Sequence, residues 1–262
     1  IGNFESLLDI QNEKLSIADG LCEGGLMIVP FGMNLQGLKS QKVITFGLTD
    51  ISGQEIGEKK ADVFGKGIAE SSGTKVVANI LGEEVSYQLN TKGDHRVLTS
   101  LAVMALLSTL GADVQQAARD FESLTNPDGR GNEIVINGIR IIDDSYNANP
   151  ASMSFAIKAL TATTRTGARI ALLGEMLELG DQSQERHQEI AIEAKELDGV
   201  ITIGEGFRQT PGNWGHYASC NEIDIAQLLS QVNVGDTLLI KGSNKIFSQL
   251  NYVKKLVDYL SL

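Results

Sequence analysis

The sequence predicts an α/β protein of two domains, the second doubly wound on a mostly parallel sheet. Three observations lead there. Beyond residue 150, apolar helical runs alternate with short apolar extended runs, and such alternation needs crossover connections between parallel strands covered on both faces. A concentration of turn formers, Thr125-Asn126-Pro127-Asp128-Gly129-Arg130-Gly131-Asn132, separates that pattern from a different one before it. The chain of 262 residues also exceeds the usual single domain of about 100–150 residues.

In chain order, between Phe4 and Leu21, the residues Phe4, Leu7, Leu8, Ile10, Leu15 and Ile17 recur at rough helical spacing and predict a helix that ends at Gly20. Leu26 to Val29 and Val43 to Gly47 are compact apolar runs read as strands, and Lys75 to Ile80 with Glu84 to Leu89 reads as a hairpin around Leu81-Gly82-Glu83. Helices follow over 96–110, stopped by Gly111, and over 114–124. Residues 1–128 therefore read as the end of one α/β domain and 129–262 as a second. There Ile134 to Ile136 and Ile139 to Ile142 flank Asn137-Gly138, a two-residue hairpin signal. A helix is expected from about Ala151, strands at 169–173, 200–203 and 237–240, and helices at 184–197, 223–232 and 246–260.

A formal charge of −11 opposes nonspecific binding to nucleic acid or an anionic membrane. Cys22 and Cys220 form neither a disulfide framework nor a metal spacing, which fits a reducing cytoplasm. No apolar run of about 18 residues predicts membrane insertion. The opening Ile1-Gly2-Asn3-Phe4-Glu5 has no signal-peptide character and no initiating Met, so a preceding segment is expected.

In doubly wound sheets, ligand groups gather at the carboxyl ends of strands. Three loops stand there. Asp143-Asp144-Ser145-Tyr146-Asn147-Ala148-Asn149-Pro150 packs two carboxylates, a hydroxyl, a phenol and two amides, suited to a ribose, a metal-bound water or a peptide carboxylate; the alternative is an Asx turn in which Asn149 caps a helix begun by Pro150. An Asp144 desolvated at that place would need a ligand partner. Leu173-Gly174-Glu175-Met176-Leu177-Glu178-Leu179-Gly180 puts Glu175 at a strand end. Lys241-Gly242-Ser243-Asn244 offers a grip on phosphate or carboxylate, against the alternative of a solvated lysine.

Other motifs carry less. Gly204-Glu205-Gly206-Phe207-Arg208-Gln209 begins like a dinucleotide fingerprint but has Gln209 at its last glycine position. Phe64-Gly65-Lys66-Gly67 lacks both the hydroxyl residue and the earlier glycine of a P-loop, so the chain holds no recognisable triphosphate cradle. His95 follows Asp94 at a helix start, where capping or packing is the alternative; His187 and His216 have no evident partner.

Taken together, the strings over 143–153, 173–180 and 241–243 resemble, in order and spacing, the successive signatures of the Mur ligases, and among them of the members that join D-alanyl-D-alanine to a UDP-N-acetylmuramoyl-tripeptide. The resemblance covers essentially the whole chain. It implies that residues 1–128 are the later part of the family's central ATPase-type domain and 129–262 its C-terminal domain, with P-loop and UDP-binding domain preceding. It implies ATP and Mg2+ as cofactors, an acyl phosphate intermediate, the tripeptide and the dipeptide as substrates, a monomer, and a cytoplasmic place in peptidoglycan synthesis. Lys14 matches the lysine carbamylated to ligate magnesium. Arg130 matches the boundary arginine that reaches the ATP phosphates, and Asp144 an acid contacting nucleotide. His95 matches the helix entry near adenine, where the family's HNxxN reads His95-Arg96-Val97-Leu98-Thr99. Tyr146 joins the nucleotide side, and Asn147, Asn149, Glu175, Lys241 and Ser243 the dipeptide side. The competing expectations are another ligase of the superfamily, such as a folylpolyglutamate synthase, and a noncatalytic nucleotide- or peptide-binding module.

Overall fold

The computed structural model describes residues 7–36, 42–49, 61–70, 73–91, 93–163 and 165–262, and the chain divides into two compact units between Asn126 and Pro127. The predicted helix start at Phe4 lies outside the described residues.

In the first unit, α1 (Leu7–Leu15) tightens into a 3-10 turn, Ser16–Gly20, as the Ser16 hydroxyl donates to the Glu13 C=O at 2.7 Å. A five-stranded sheet follows: β1 (Leu26–Pro30), β2 (Lys42–Leu48), β3 (Val63–Glu70), β4 (Gly73–Ile80) and β5 (Glu83–Leu89), in that spatial order. The first three are parallel and the last three antiparallel. Leu81 and Gly82, both at positive φ, make the β4–β5 turn. The sequence reading missed β3, because Gly65 and Gly67 look like loop residues. Their actual role is close approach: a Cβ on Gly65 would sit 2.8 Å from the Ala78 Cβ, and one on Gly67 2.8 Å from the Val97 Cγ2. That lets α2 (Asp94–Thr109) lay Val97, Leu101, Met104 and Ala105 on Val63, Val76, Val85 and Tyr87. Asp113 caps α3 (Val114–Phe121) by accepting from the Gln115 and Gln116 amides.

The second unit is a six-stranded sheet of β6 (Asn132–Ile136), β7 (Ile139–Asp144), β8 (Arg169–Gly174), β9 (Gly199–Ile203), β10 (Gly215–Tyr217) and β11 (Thr237–Lys241), in the order β10-β9-β8-β11-β7-β6. All neighbours are parallel except β6 and β7, joined by Asn137 and Gly138 at positive φ. Alternate strand residues feed two cores. Ile141, Ile170, Leu172, Ile201, Leu238 and Ile240 face α6 (Ile225–Leu229) and α7 (Tyr252–Leu260), while Ala171, Leu173, Val200 and Leu239 face α4 (Pro150–Ala162) and α5 (Ser183–Glu193).

In the second unit three helices differ from expectation in their bounds. The one expected to end at Leu197 turns 3-10 at Ala194–Glu196, and α6 starts only after its cap, Asp224. The last starts at Tyr252, not Ile246, because the chain first makes a 3-10 turn over Ser248–Leu250 and passes Asn251 in the left-handed region, with Phe247 buried in the core. The Asn149 cap matches expectation. Its Oδ1 accepts the Ser152 N–H at 2.9 Å, the Ser152 Oγ accepts the Asn149 N–H at 3.1 Å, and Pro150 holds the first helical position. Asn149→Ala is expected to cost about 1 kcal/mol in urea unfolding, with Asn149→Ser retaining most of it.

A site at the carboxyl ends of β7 and β11

Parallel register places Lys241 beside Asp144 on the same face at the last positions of their strands. Lys241 is not a solvated lysine. Its side chain is 3% exposed, and Nζ donates to the Asp144 Oδ2 at 2.6 Å and to the Asn147 C=O at 3.2 Å. The burial of Asp144 is thus compensated by the chain's own cation, which corrects the expectation that a ligand alone would justify it.

Asp143, also buried, ties the unit's entrance to this strand end. Its two carboxylate oxygens accept the Ser145 and Gly129 amides at 3.2 Å each, the Gly131 N–H donates to its C=O at 2.7 Å, and the Tyr146 N–H donates to the Gly129 C=O at 2.9 Å. Gly129 has φ +72°, and a Cβ there would lie 2.9 Å from the Tyr146 nitrogen, so this stitching requires glycine. The result is an exposed pair: the Arg130 guanidinium carbon stands 4.1 Å from the centroid of the Tyr146 ring. Below it Ser145 is buried, its C=O accepting the Ser248 hydroxyl at 2.8 Å. Asn147 and Asn149 are exposed on the same loop.

A second group forms around Glu175, which follows β8. Its Oε2 accepts the Gly206 N–H at 2.9 Å, and its C=O accepts the Ser243 N–H at 3.2 Å. A Cβ on Gly204 would strike the Glu175 side chain at 2.6 Å, which explains the glycine pair that resembled a dinucleotide motif. Gly174 and Gly242 cross closely, a Cβ on Gly242 falling 2.8 Å from the Gly174 Cα; this seats buried Ser243 beside Glu175. Sequence reading did not reveal the Glu175–Gly206 bond or the Gly174–Gly242 crossing; the paired small residues after β8 and β11 were their only signal.

Lys14 and His95 belong to the other unit. Lys14 is exposed in the last turn of α1, and His95 is exposed in the first turn of α2, its C=O accepting the Thr99 hydroxyl at 2.9 Å. Among the described residues, no group of three His, Cys, Asp or Glu side chains could hold a metal ion, and no helix is long and apolar enough to cross a membrane.

Comparison with known proteins bears on this region. The Mur ligase, glutamate ligase domain family matches residues 129–244. The UDP-N-acetylmuramoyl-tripeptide–D-alanyl-D-alanine ligase of Bacillus subtilis (strain 168) is 27% identical over 250 residues, which cover 89% of this chain and 52% of that protein. The ligase of the same name from Escherichia coli (strain K12) is 28% identical over 258 residues, covering 92% of this chain and 54% of its own length. The chain spans about half the length of the curated relatives it matches. The fold is that of MurF ligase from Thermotoga maritima in complex with ADP, with a TM-score of 0.78 and 22% identity over 97% of this chain and 58% of that one.

Proposed function

We propose that this chain, whose residues 129–244 belong to the Mur ligase, glutamate ligase domain family, is part of an ATP-dependent ligase that joins D-alanyl-D-alanine to a UDP-N-acetylmuramoyl-tripeptide in cytoplasmic peptidoglycan synthesis. Residues 1–128 would be the later part of its nucleotide-binding domain and 129–262 the domain that brings the amine. The observation that carries the reading is the exposed Arg130–Tyr146 pair, with Tyr146 two residues after Asp144 of the partly buried Asp144–Lys241 pair, in a region similar to ligases of that named activity.

A carboxylate is a poor electrophile with a poor leaving group, so amide formation in water needs activation. ATP supplies it by transferring its γ-phosphoryl group to the tripeptide carboxylate. The residues of this chain suit the charge problem that this creates. The exposed Arg130 guanidinium neutralises phosphoryl oxygens, and Tyr146 aims it. The Lys241–Asp144 pair is internally neutral and fixes the backbone of Asn147, so that the amides of Asn147 and Asn149 stand ready for the dipeptide. The Asn149 cap uses Oδ1 and leaves Nδ2 to donate to a peptide carboxylate. Glu175 and Ser243, clamped together, border the same strand ends. For magnesium, the described residues contain no group of three His, Cys, Asp or Glu side chains placed to hold a metal ion; a carbamate on exposed Lys14 would help to hold it, because it turns an amine into a hard oxygen donor. His95 is proposed on the nucleotide side.

A noncatalytic binding module is the second reading, favoured by the absence of a P-loop string from the sequence. Phosphate release separates the two. With ATP, tripeptide and dipeptide, the 262-residue chain should release none, and a chimera carrying the N-terminal half of the Escherichia coli relative before it should release phosphate only when the dipeptide is present. A chimera that folds and binds the dipeptide but releases nothing supports the binding module.

A further inference from the structure

His187 anchors the Glu175 loop from within. The ring is buried in α5. The Met176 N–H donates to its Nε2 at 2.9 Å, which requires a lone pair there and so places the ring proton on Nδ1. Nδ1–H in turn donates to the Ser183 C=O at 2.6 Å. Phe207 packs edge-on against the ring at 4.6 Å between centroids, and a Cβ on Gly206 would collide with it. Gly206 is also the residue whose N–H holds the Glu175 carboxylate. The imidazole therefore fixes Glu175 twice, through the backbone of the next residue and through the turn that binds its side chain.

We infer that His187 is a positioning residue: in its neutral form with the proton on Nδ1, it holds Glu175 at the strand ends, and its protonation releases the loop and weakens the hold on D-alanyl-D-alanine. The dipeptide part of this rests on the function proposed above. A proton on Nε2 would turn the acceptor for the Met176 N–H into a donor facing a donor.

Burial, chiefly, holds this imidazole below its ordinary range, against the Ser183 C=O and Glu175, which favour the cation. The sign follows. The unfolded chain takes up the proton more readily, so the contribution to stability is complete above about pH 6.5 and is lost as pH falls toward the folded value. Glu175 is the charge that acts on the ring. On the other elements packed against α5, Asp181, Glu205, Lys158 and Lys195 are exposed, as is Glu185 on α5 itself; there Arg186 pairs with Glu189.

The test uses the 262-residue chain. Nitrogen NMR of His187 should show an unprotonated Nε2 near neutral pH, and the Met176 amide should shift with the midpoint of the imidazole titration. In calorimetry with D-alanyl-D-alanine, His187→Leu should weaken binding about tenfold. His187→Gln, which keeps an acceptor but no titration, should stay within about threefold and become independent of pH below about 6.5, where the unaltered chain loses affinity toward acid. A Met176 amide that ignores the imidazole titration overturns the inference, as does a folded His187→Leu chain with full affinity. If the unaltered chain does not bind the dipeptide at about pH 8, the substrate reading and its link to His187 fall, while the amide titration still decides whether His187 fixes the loop.

Discussion

Replacing Asp144 with alanine is expected to lower the unfolding free energy of residues 127–262 by about 3–5 kcal/mol, because it leaves the Lys241 ammonium buried without its counterion. Lys241 is 3% exposed and Asp144 28% exposed, so water reaches the carboxylate far more readily than the ammonium. Lys241→Met should therefore cost less than Asp144→Ala, and the double variant Asp144→Ala with Lys241→Met should recover much of the loss, since replacing a buried pair by apolar groups is often close to neutral. Urea unfolding of the four chains gives the coupling energy directly. An Asp144→Ala chain within about 0.5 kcal/mol of the unaltered one would show that the pair is open to solvent. From sequence alone the opposite result is expected, a catalytic loss with folding intact, because the partner of Asp144 is not visible there.

The second large effect is catalytic. In the active chimera, Arg130→Ala should reduce kcat/KM for ATP by about 100- to 1000-fold, the usual result of removing a positioned donor to transition-state charge. Stability should change by no more than about 0.5–1 kcal/mol, because the stack on Tyr146 is exposed. Arg130→Lys should restore only part of the rate, since a lysine has neither the planar stack nor the forked donors. Phosphate release and thermal melts on the same preparations separate the two effects. An Arg130→Ala enzyme at full rate would remove this side chain from the reaction.

Much of the second unit was legible because its signals are local. Asn137-Gly138 fixes a hairpin through the backbone freedom of two residues, Asn149-Pro150 writes a helix start within a few positions, and β8, β9 and β11 are mostly apolar because both faces are buried. What was hidden depends on partners far apart in the chain. Lys241 looks like a surface lysine until β11 pairs with β7 and brings it to a carboxylate 97 positions earlier. His187 has no evident partner until the loop after β8 folds back onto α5. Gly65 and Gly67 give no strand signal in the sequence, yet they keep β3 close to β4 and α2, and nothing local distinguishes a glycine needed for φ from one needed for space. The candidate site divides similarly. Its loops were visible as clusters of polar residues at strand ends, but which members point outward, such as Arg130 and Tyr146, and which serve the fold, such as Asp143 and Ser145, follows only from hydrogen bonds between loops.

In the proposed function these strand ends select D-alanyl-D-alanine as the amine of an ATP-dependent ligation. Competition among amines in the chimera, read by the mass of the UDP-linked product, tests it most directly. With D-alanyl-D-alanine, glutamate and lysine offered together with ATP and the UDP-N-acetylmuramoyl-tripeptide, the expected product is heavier by the dipeptide alone. A glutamate or lysine adduct would contradict that selectivity and assign the chain to a different ligase.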